Sequence, residues 1–369
     1  MERLFRKTPR PLGPSSPTKL EKNQIKKLLP GEHVNLKKLG VATLLILIFL
    51  FIGIAGIYLN IVSYAKKPPN MAPVEQAVVV PSGQGFKALS TLLYQKGMIL
   101  HPFKFRLFAR IKGYDKRIKA GEYLLSSAMT PKKILETMVD GKVRLHRLTI
   151  PEGYNLIQIA EAVETEGFAS ESDFLKAATD PDLVHAKGID AQTFEGYLFP
   201  DTYYFPRGVT HENIISTMVR RFRSVYKPEW EEQTKTLGLT IHQVITLASI
   251  IEKETAVADE RPIISSVFHN RLKRNMRLES DPTVIYGIED YDGNITRKDL
   301  AHPTPYNTYT IKGLPPGPIS NTGVRAIEAT LYPADTKFLY FVSRKDRTHQ
   351  FSTNFKDHNR AVRKYQLRR

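Results

Sequence analysis

TIHQVITLASIIEKETAVADE, residues 240–260, is the stretch that decides how the C-terminal part of this chain folds. Thr240 and, three residues later, Gln243 form the pattern of a capping box, which predicts a helix beginning at Ile241. Apolar residues then recur at helical spacing and form one stripe along that helix. The stripe consists of Val244, Leu247, Ile250 and Ile251. We therefore expect this helix to pack against the core of a folded domain.

The same periodicity brings a carboxyl group onto the apolar stripe. Glu254 follows Leu247 by seven residues and Ile250 by four, so it shares their face, whereas Glu252 lies about 200° around the helix from it. An apolar setting disfavours the ionised form and raises the pKa of a carboxyl group, as an acid catalyst working near neutral pH requires. Glu254 is therefore the better candidate acid, and the alternative is an ordinary solvated glutamate near a helix end.

A long apolar segment precedes the folded region. Residues 39–65 contain no charged side chain and can cross about 30 Å of hydrocarbon as one helix. The segment is longer than the apolar part of a signal peptide and follows a long basic tail, so we expect a retained single-pass anchor. Lys and Arg are more numerous before the segment than after it, where Lys66 and Lys67 lie. The positive-inside rule then places residues 1–38 in the cytoplasm and the rest outside the cytoplasmic (inner) membrane.

An internal repeat organises the region beyond this segment. VVVPSGQGFKALSTLLYQKGMI, residues 78–99, aligns without gaps on LTIPEGYNLIQIAEAVETEGFA, residues 148–169. Each copy predicts a strand, a Pro-x-Gly turn and a helix that stops at Gly97 or Gly167. This pattern resembles half of a LysM module, a small α/β unit that binds N-acetylated sugars. A purely architectural role is an equally open interpretation.

The predicted domain order follows from these patterns. Residues 66–75 form a Pro-rich linker that should hold the first unit a little off the bilayer. Residues 76–147 form the LysM-like unit, with residues 89–113 helical and residues 120–126 a strand, and residues 148–369 form a second domain. In the second domain we expect helices over residues 171–179 and 211–226, and a loop over the aromatic-rich residues 195–206.

Composition excludes several classes of function. The chain has no cysteine, so it has neither disulfides nor thiolate metal sites. The net charge of +17 would suit nucleic acid, but much of the excess lies in the terminal segments, and the outward topology argues against a nucleic-acid partner. The ten histidines show no metal-ligand spacing, and no phosphate-binding loop is present. We expect no metal and no cofactor.

Several motifs in a fixed order point to one family. They are EGYLFPDTYYF (residues 195–205), ASIIEKETA (248–256), FHNRL (268–272), DPTVIYG (281–287), YNTY (306–309) and GLPPGPISN (313–321). Together they resemble the endolytic murein transglycosylases, the YceG-like family. The resemblance implies an α+β fold: a LysM-like unit followed by a mixed α/β lytic-transglycosylase domain. Thr322 departs from the family pattern, which usually has Pro there.

The resemblance also implies the site residues. The family acid is a Glu followed by a small hydroxyl residue, and Glu254 followed by Thr255 fits. Further substrate contacts are expected at Glu252, Thr255, Asn270, Tyr286, Tyr306, Asn307, Tyr309 and Asn321. Loop packing is the alternative for the YNTY residues, Asp281 could be only a turn residue, and GLPPGP should form a rigid wall of the groove.

The implied reaction needs one carboxyl group. Glu254 would protonate the oxygen between N-acetylmuramic acid (MurNAc) and N-acetylglucosamine (GlcNAc) in nascent peptidoglycan strands, then accept the proton of the muramyl 6-hydroxyl, leaving a 1,6-anhydro-MurNAc end. The implied partners are peptidoglycan strands, the cytoplasmic membrane and peptidoglycan synthases. The alternatives are a non-catalytic membrane-anchored scaffold that binds peptidoglycan and a hydrolase that admits water.

Overall fold

The computed structural model describes residues 36–367 except residues 71, 256 and 290. Almost all of the predicted cytoplasmic tail, residues 1–38, lies outside the described residues. The described strands form three separate two-stranded antiparallel sheets, and helices cover them. Short antiparallel sheets joined to many helices make an α+β fold, so the predicted α+β class is confirmed.

Helix α1, Leu36–Ala65, contains the predicted apolar segment. Among the described residues, one helix is long and apolar enough to cross a membrane, and it is this one. Its last turn is not free: Ile61 and Ala65 are buried in the core of the first unit, and the Tyr64 ring lies 5.7 Å from that of His101. The Pro-rich segment that follows is hydrogen-bonded to the first unit. The Asn70 N–H donates to the Ser127 backbone carbonyl at 3.2 Å. At least one residue of the predicted linker is therefore hydrogen-bonded to the first unit.

The first unit packs three helices on one two-stranded antiparallel sheet. In chain order its elements are β1 Glu75–Val80, α2 Phe86–Gln95, α3 Pro102–Ile111, β2 Gly121–Ser126 and α4 Pro131–Asp140. Strands β1 and β2 are antiparallel, and Val78 and Val80 face the core while Val79 is exposed, the alternation of a strand with one buried face. The single helical stretch predicted over residues 89–113 is in fact α2 and α3, because Gly97 ends one helix and Pro102 starts the next.

The second domain is larger and mostly helical. Its elements are β3 Leu145–Thr149, α5 Leu156–Thr165, α6 Glu171–Ala178, α7 Pro181–Ala186, β4 Thr202–Pro206, α8 His211–Val225, α9 Pro228–Thr236, α10 Ile241–Glu254, α11 Arg261–Lys273, α12 Asp281–Tyr286, α13 Arg297–Ala301, α14 Val324–Leu331, β5 Tyr340–Ser343, β6 His349–Ser352 and α15 Phe355–Tyr365. The predicted helices over residues 171–179 and 211–226 correspond to α6 and α8. The predicted loop over residues 195–206 is wrong at its end, because β4 pairs with β3 and buries Tyr203 and Phe205.

Both copies of the internal repeat fold as predicted. Gly83 and Gly153 have φ of +78° and +80° in the two turns, a region that glycine enters without steric cost. Gly97 and Gly167, at +70° and +69°, end helices α2 and α5. The strands of the two copies pair with different partners, β2 and β4, so the likeness is one of local structure.

Helix α10 is the centre of the second domain. Its capping box is present: the Thr240 hydroxyl accepts from the Gln243 N–H at 3.1 Å, and the Gln243 side chain accepts from the Thr240 N–H at 2.9 Å. Instead of a single buried stripe, every residue from Val244 to Ile251 is buried. The helix is enclosed because α9, α11, α12 and α14 all pack against it. Only its two ends reach the surface.

Candidate active site

Glu254 lies where the central helix reaches the surface. It is the last residue of α10, and Thr255 ends the helix with extended backbone (φ −147°). The Glu254 side chain is half-buried, and its Oε1 accepts a hydrogen bond from the Ser280 hydroxyl. Burial raises the pKa of Glu254 to about 7. The Ser280 hydroxyl lowers this pKa, the Asp281 carboxylate raises it and the Arg271 guanidinium lowers it. Near neutral pH this carboxyl group can therefore both give and accept a proton.

Ser280, the partner of Glu254, is held by a network of buried hydroxyl groups. Its backbone N–H donates to the Thr308 hydroxyl at 3.0 Å, and the Thr308 and Thr283 hydroxyls are 2.8 Å apart. All three side chains are buried. Glu279, just before Ser280, has φ of +49°, a left-handed conformation that is uncommon for a residue other than glycine. The YNTY and DPTVIYG motifs thus meet behind Glu254 and fix its hydrogen-bond donor.

Arg271, from the FHNRL motif, positions the same segment from the opposite side. Its guanidinium is buried and donates from Nη1 to the Leu278 carbonyl at 2.7 Å and to Glu279 Oε2 at 3.2 Å, and from Nε to the Leu339 carbonyl at 2.7 Å. One side chain therefore holds the backbone that leads into Ser280. The motif was part of the family resemblance, but the role of Arg271 was missed, since periodicity alone carries no signal for it.

Glu252 points away from Glu254, as the helical geometry predicted. Its Oε1 accepts from Arg261 Nη2 at 2.8 Å and its Oε2 from the Gly323 N–H at 3.0 Å. Both side chains of the ion pair are buried, with 5% and 9% exposure. Both oxygens are thus engaged in joining α10 to α11 and to the start of α14.

Glu195 is a second buried carboxyl group, and sequence reasoning missed it. Its Oε2 accepts from the Leu156 N–H and from the Tyr286 hydroxyl, each at 3.1 Å, and its Oε1 accepts from Asn321 Nδ2 at 2.9 Å. Burial raises the pKa of Glu195 to about 7. The aromatic residues that follow it in EGYLFPDTYYF were the available signal, because they predict an apolar environment for this carboxyl group.

The three predicted asparagine contacts bind protein backbone. Asn270 Nδ2 donates to the Thr336 carbonyl at 2.8 Å, and Asn307 Nδ2 donates to the His302 carbonyl at 2.7 Å, just after α13. Asn321 Oδ1 accepts from the Leu198 N–H at 2.8 Å. Asn307 and Asn321 are fully buried. For Asn307, this geometry favours the loop-packing alternative.

The predicted tyrosines are half-buried and fall into two groups. Tyr309 lies beside the candidate acid: its hydroxyl donates to Asp281 Oδ1 at 2.6 Å, and burial together with the carboxylates of Asp281 and Glu254 raises its pKa. The rings of Tyr286 and Tyr306 lie 4.8 Å apart, on the Glu195 side.

Thr255 is buried, and its hydroxyl accepts from the Val257 N–H at 3.0 Å.

The GLPPGP segment, residues 313–318, and the residue that follows it contact α10. His242 Nε2 donates to the Pro316 carbonyl at 2.9 Å, and the Ile319 N–H donates to the Ser249 hydroxyl at 3.0 Å. Gly196 lies under this segment with φ of +85°, and a Cβ there would come within 2.5 Å of Pro318 Cγ. Glycine is therefore required at this close approach.

No metal site is formed by the residues that the structure describes, since they contain no group of three or more His, Asp or Glu able to hold an ion.

An α+β fold with a half-buried acid at the exposed end of its central helix defines a protein suited to general acid–base chemistry. Comparison with known proteins specifies the family. The model of the YceG-like family matches residues 78–364. The chain belongs to the YceG-like family, as its motifs predicted.

Named relatives and a solved structure agree with this assignment. The endolytic murein transglycosylase of Bacillus subtilis (strain 168) is 33% identical over 302 residues, covering 78% of this chain and 83% of that protein. That of Streptococcus pneumoniae (strain D39) is 31% identical over 356 residues, and the match covers 86% of this chain but only 63% of the longer pneumococcal protein. A crystal structure described as that of a yceG-like protein from Listeria monocytogenes has 35% identity and a TM-score of 0.55, covering 79% of this chain and all of that one.

Proposed function

We propose that this chain is a membrane-anchored endolytic murein transglycosylase that cleaves the MurNAc–GlcNAc bond of nascent peptidoglycan strands, with Glu254 as the acid and then the base. The observation that carries the proposal is the state of Glu254. Its carboxyl group is half-buried at the site and hydrogen-bonded to Ser280, and burial raises the pKa of Glu254 to about 7. The relatives named endolytic murein transglycosylases support the substrate class.

The reaction returns Glu254 to its starting state. The protonated carboxyl gives its proton to the glycosidic oxygen as the bond from that oxygen to C1 of MurNAc breaks. The carboxylate then accepts the proton of the C6 hydroxyl while O6 forms a bond to C1, which gives the 1,6-anhydro ring. Ser280 stabilises the carboxylate between the two steps, because a hydrogen bond to an ionised acceptor is stronger than one to a neutral acceptor.

The surrounding carboxyl groups support a mechanism with one carboxylate. A hydrolytic glycosidase uses a second carboxyl group to activate water or attack the sugar. Glu252 has both oxygens engaged by Arg261 and Gly323, and Glu195 is buried with both oxygens occupied. Asp281 accepts from Tyr309, and its charge helps to keep Glu254 protonated.

The predicted substrate contacts divide by their geometry. We assign direct sugar contact to the half-buried rings of Tyr286, Tyr306 and Tyr309, since aromatic faces pack well against sugar rings. Asn270, Asn307, Asn321, Glu252 and Thr255 would act indirectly, by holding the loops that shape the groove.

In this proposal α1 is a single-pass anchor of the cytoplasmic membrane. The N-terminus then lies in the cytoplasm and the catalytic domain lies outside the membrane. In this proposal residues 76–147 are the LysM-like unit and residues 148–369 the catalytic domain. The separation of the buried cores supports a boundary there, because the first core extends to Met138 and the partly buried Val143, and the next begins at Leu148. Neighbouring peptidoglycan synthases would supply the nascent strands.

Replacement of the acid tests the mechanism. Glu254→Gln is nearly isosteric and cannot transfer a proton, so release of anhydro-ended fragments from purified sacculi, resolved by mass, should stop. Glu161→Gln makes the same change on an exposed face of α5 and should leave the rate unchanged. Undiminished anhydro product from Glu254→Gln would refute the mechanism, and reducing ends from the wild-type chain would indicate a hydrolase.

Topology is tested separately. The chain should resist alkaline extraction from membranes, and a C-terminal reporter that is active only outside the cytoplasm should be active. Activity of a cytoplasmic reporter at the same position would contradict the proposed orientation.

A further inference from the structure

The end of α1 extends beyond the hydrocarbon layer. At 1.5 Å per residue, residues 39–59 span about 31 Å, close to the roughly 30 Å of a bilayer core. The helix continues to Ala65, and its sequence becomes more polar from Asn60 onward. The last turns of α1 therefore lie at the level of the lipid headgroups when the helix acts as the proposed anchor.

A cavity of about 320 Å³ opens at this level, between the end of α1 and the start of α3. Its polar lining consists of Asn60, Ser63, Tyr64, Lys67, His101 and Lys104. The Tyr64 hydroxyl is buried and donates no hydrogen bond to any described residue. A buried donor without an acceptor is costly, and a bound acceptor would remove that cost.

The charge of the cavity is positive. Lys67 and Lys104 line it, Lys66 adjoins it, and none of the described residues in its lining is acidic. Positive charge is normally depleted just outside the membrane, so these lysines need an explanation other than topology. Leu100 also lines the cavity and is 53% exposed, while Phe103, in the first turn of α3, is 69% exposed. Basic and apolar side chains together are typical of a surface that contacts anionic lipid.

We propose that this cavity binds the phosphate headgroup of an anionic phospholipid in the outer leaflet of the membrane. Lys67 and Lys104 pair with the phosphate, Tyr64 donates to it, and Leu100 contacts the glycerol and acyl region. Because Ile61 and Ala65 at the end of α1 are buried in the first unit, a lipid held here fixes that unit against the bilayer. The inference rests on α1 being the proposed anchor and is independent of the chemistry at Glu254.

Lipid binding is measured on the full chain in neutral detergent. The protein is titrated with phosphatidylglycerol or phosphatidylcholine, and bound lipids are counted by native mass spectrometry. Combining Lys67→Gln with Lys104→Gln should weaken phosphatidylglycerol binding about 30-fold, because each lysine near an anionic lipid contributes roughly 1 kcal/mol. The matched control combines Lys235→Gln with Lys298→Gln, which removes the same charge from exposed positions of the second domain and should leave binding unchanged.

Three results would overturn the proposal. The first is that the Lys67/Lys104 variant binds phosphatidylglycerol as tightly as the wild type does. The second is that the wild-type chain binds the two lipids equally. The third is that equimolar glycerol 1-phosphate displaces the lipid, which would indicate a site for free phosphate. Thermal unfolding midpoints of both double variants should match that of the wild type, so that lost binding reports on the cavity. Since no turnover is involved, failure here is distinct from failure of the proposed reaction.

Discussion

Removing the Ser280 hydroxyl should make Glu254 a weaker acid. The hydroxyl is buried, donates to Glu254 Oε1 and lowers the pKa that burial has raised to about 7. A hydrogen bond to a charged group is worth about 1.5–3 kcal/mol, and about 1.4 kcal/mol corresponds to one pH unit. In Ser280→Ala the alkaline limb of the pH–rate profile should therefore move up by about 1 to 2 pH units. The plateau rate should also fall, by at most about 150-fold, because the carboxylate formed during proton transfer loses a donor.

The assay is release of anhydro-ended fragments from sacculi between pH 5 and pH 10, with kcat and KM determined at each pH. The acid form of Glu254 is present below its pKa and is lost as pH rises through it, so a raised pKa extends activity to higher pH. Ser266→Ala is a matched control, since it deletes a buried serine hydroxyl on α11 that bonds to Ile263 and Thr336. A limb that stays in place, or moves to lower pH, would refute the assigned role of Ser280.

The neighbouring residue offers the opposite perturbation. The Asp281 carboxylate raises the pKa of Glu254, so Asp281→Asn should lower that pKa and move the alkaline limb to lower pH. Tyr309 would keep a hydrogen-bond partner in the amide. Shifts of the same sign in the Ser280 and Asp281 variants would contradict the electrostatic account of the site.

Two further predictions concern stability and are read from thermal or urea unfolding. Gly196→Ala should destabilise the chain by more than the roughly 1–3 kcal/mol expected for strained backbone alone, because its Cβ would also meet Pro318 at 2.5 Å. Gly208→Ala is the control, since Gly208 has φ of +76° with open space around it and should show the backbone cost only. Equal losses of stability in the two variants would contradict the packing argument. Arg261→Met should lower the free energy of unfolding by about 3–5 kcal/mol, because it leaves Glu252 buried without a counter-charge. Adding Glu252→Gln should recover part of this stability. Purely additive losses in the double variant would show that the unpaired charge is not the cause.

Local patterns were reliable where the interactions are local. The capping box at Thr240, the glycine stops at Gly97 and Gly167 and the long apolar helix α1 all depend on residues within a few positions of one another. Strand β4 was missed because its partner, β3, lies more than fifty residues earlier in the chain. A predicted helix was divided in two because Gly97 and Pro102 outweighed the apolar periodicity around them.

The sequence by itself determined one helix long and apolar enough to span a membrane, the α+β class and the family. Helical spacing alone also predicted that Glu254 shares a face with Ile250 and Leu247, which made it the candidate acid. Only the tertiary structure decided the environment of that acid. Ser280, Thr308 and Arg271 are far from Glu254 along the chain, and the folded backbone brings them together. The physical reason is that a pKa depends on burial and on the groups within a few ångströms, which are long-range consequences of packing.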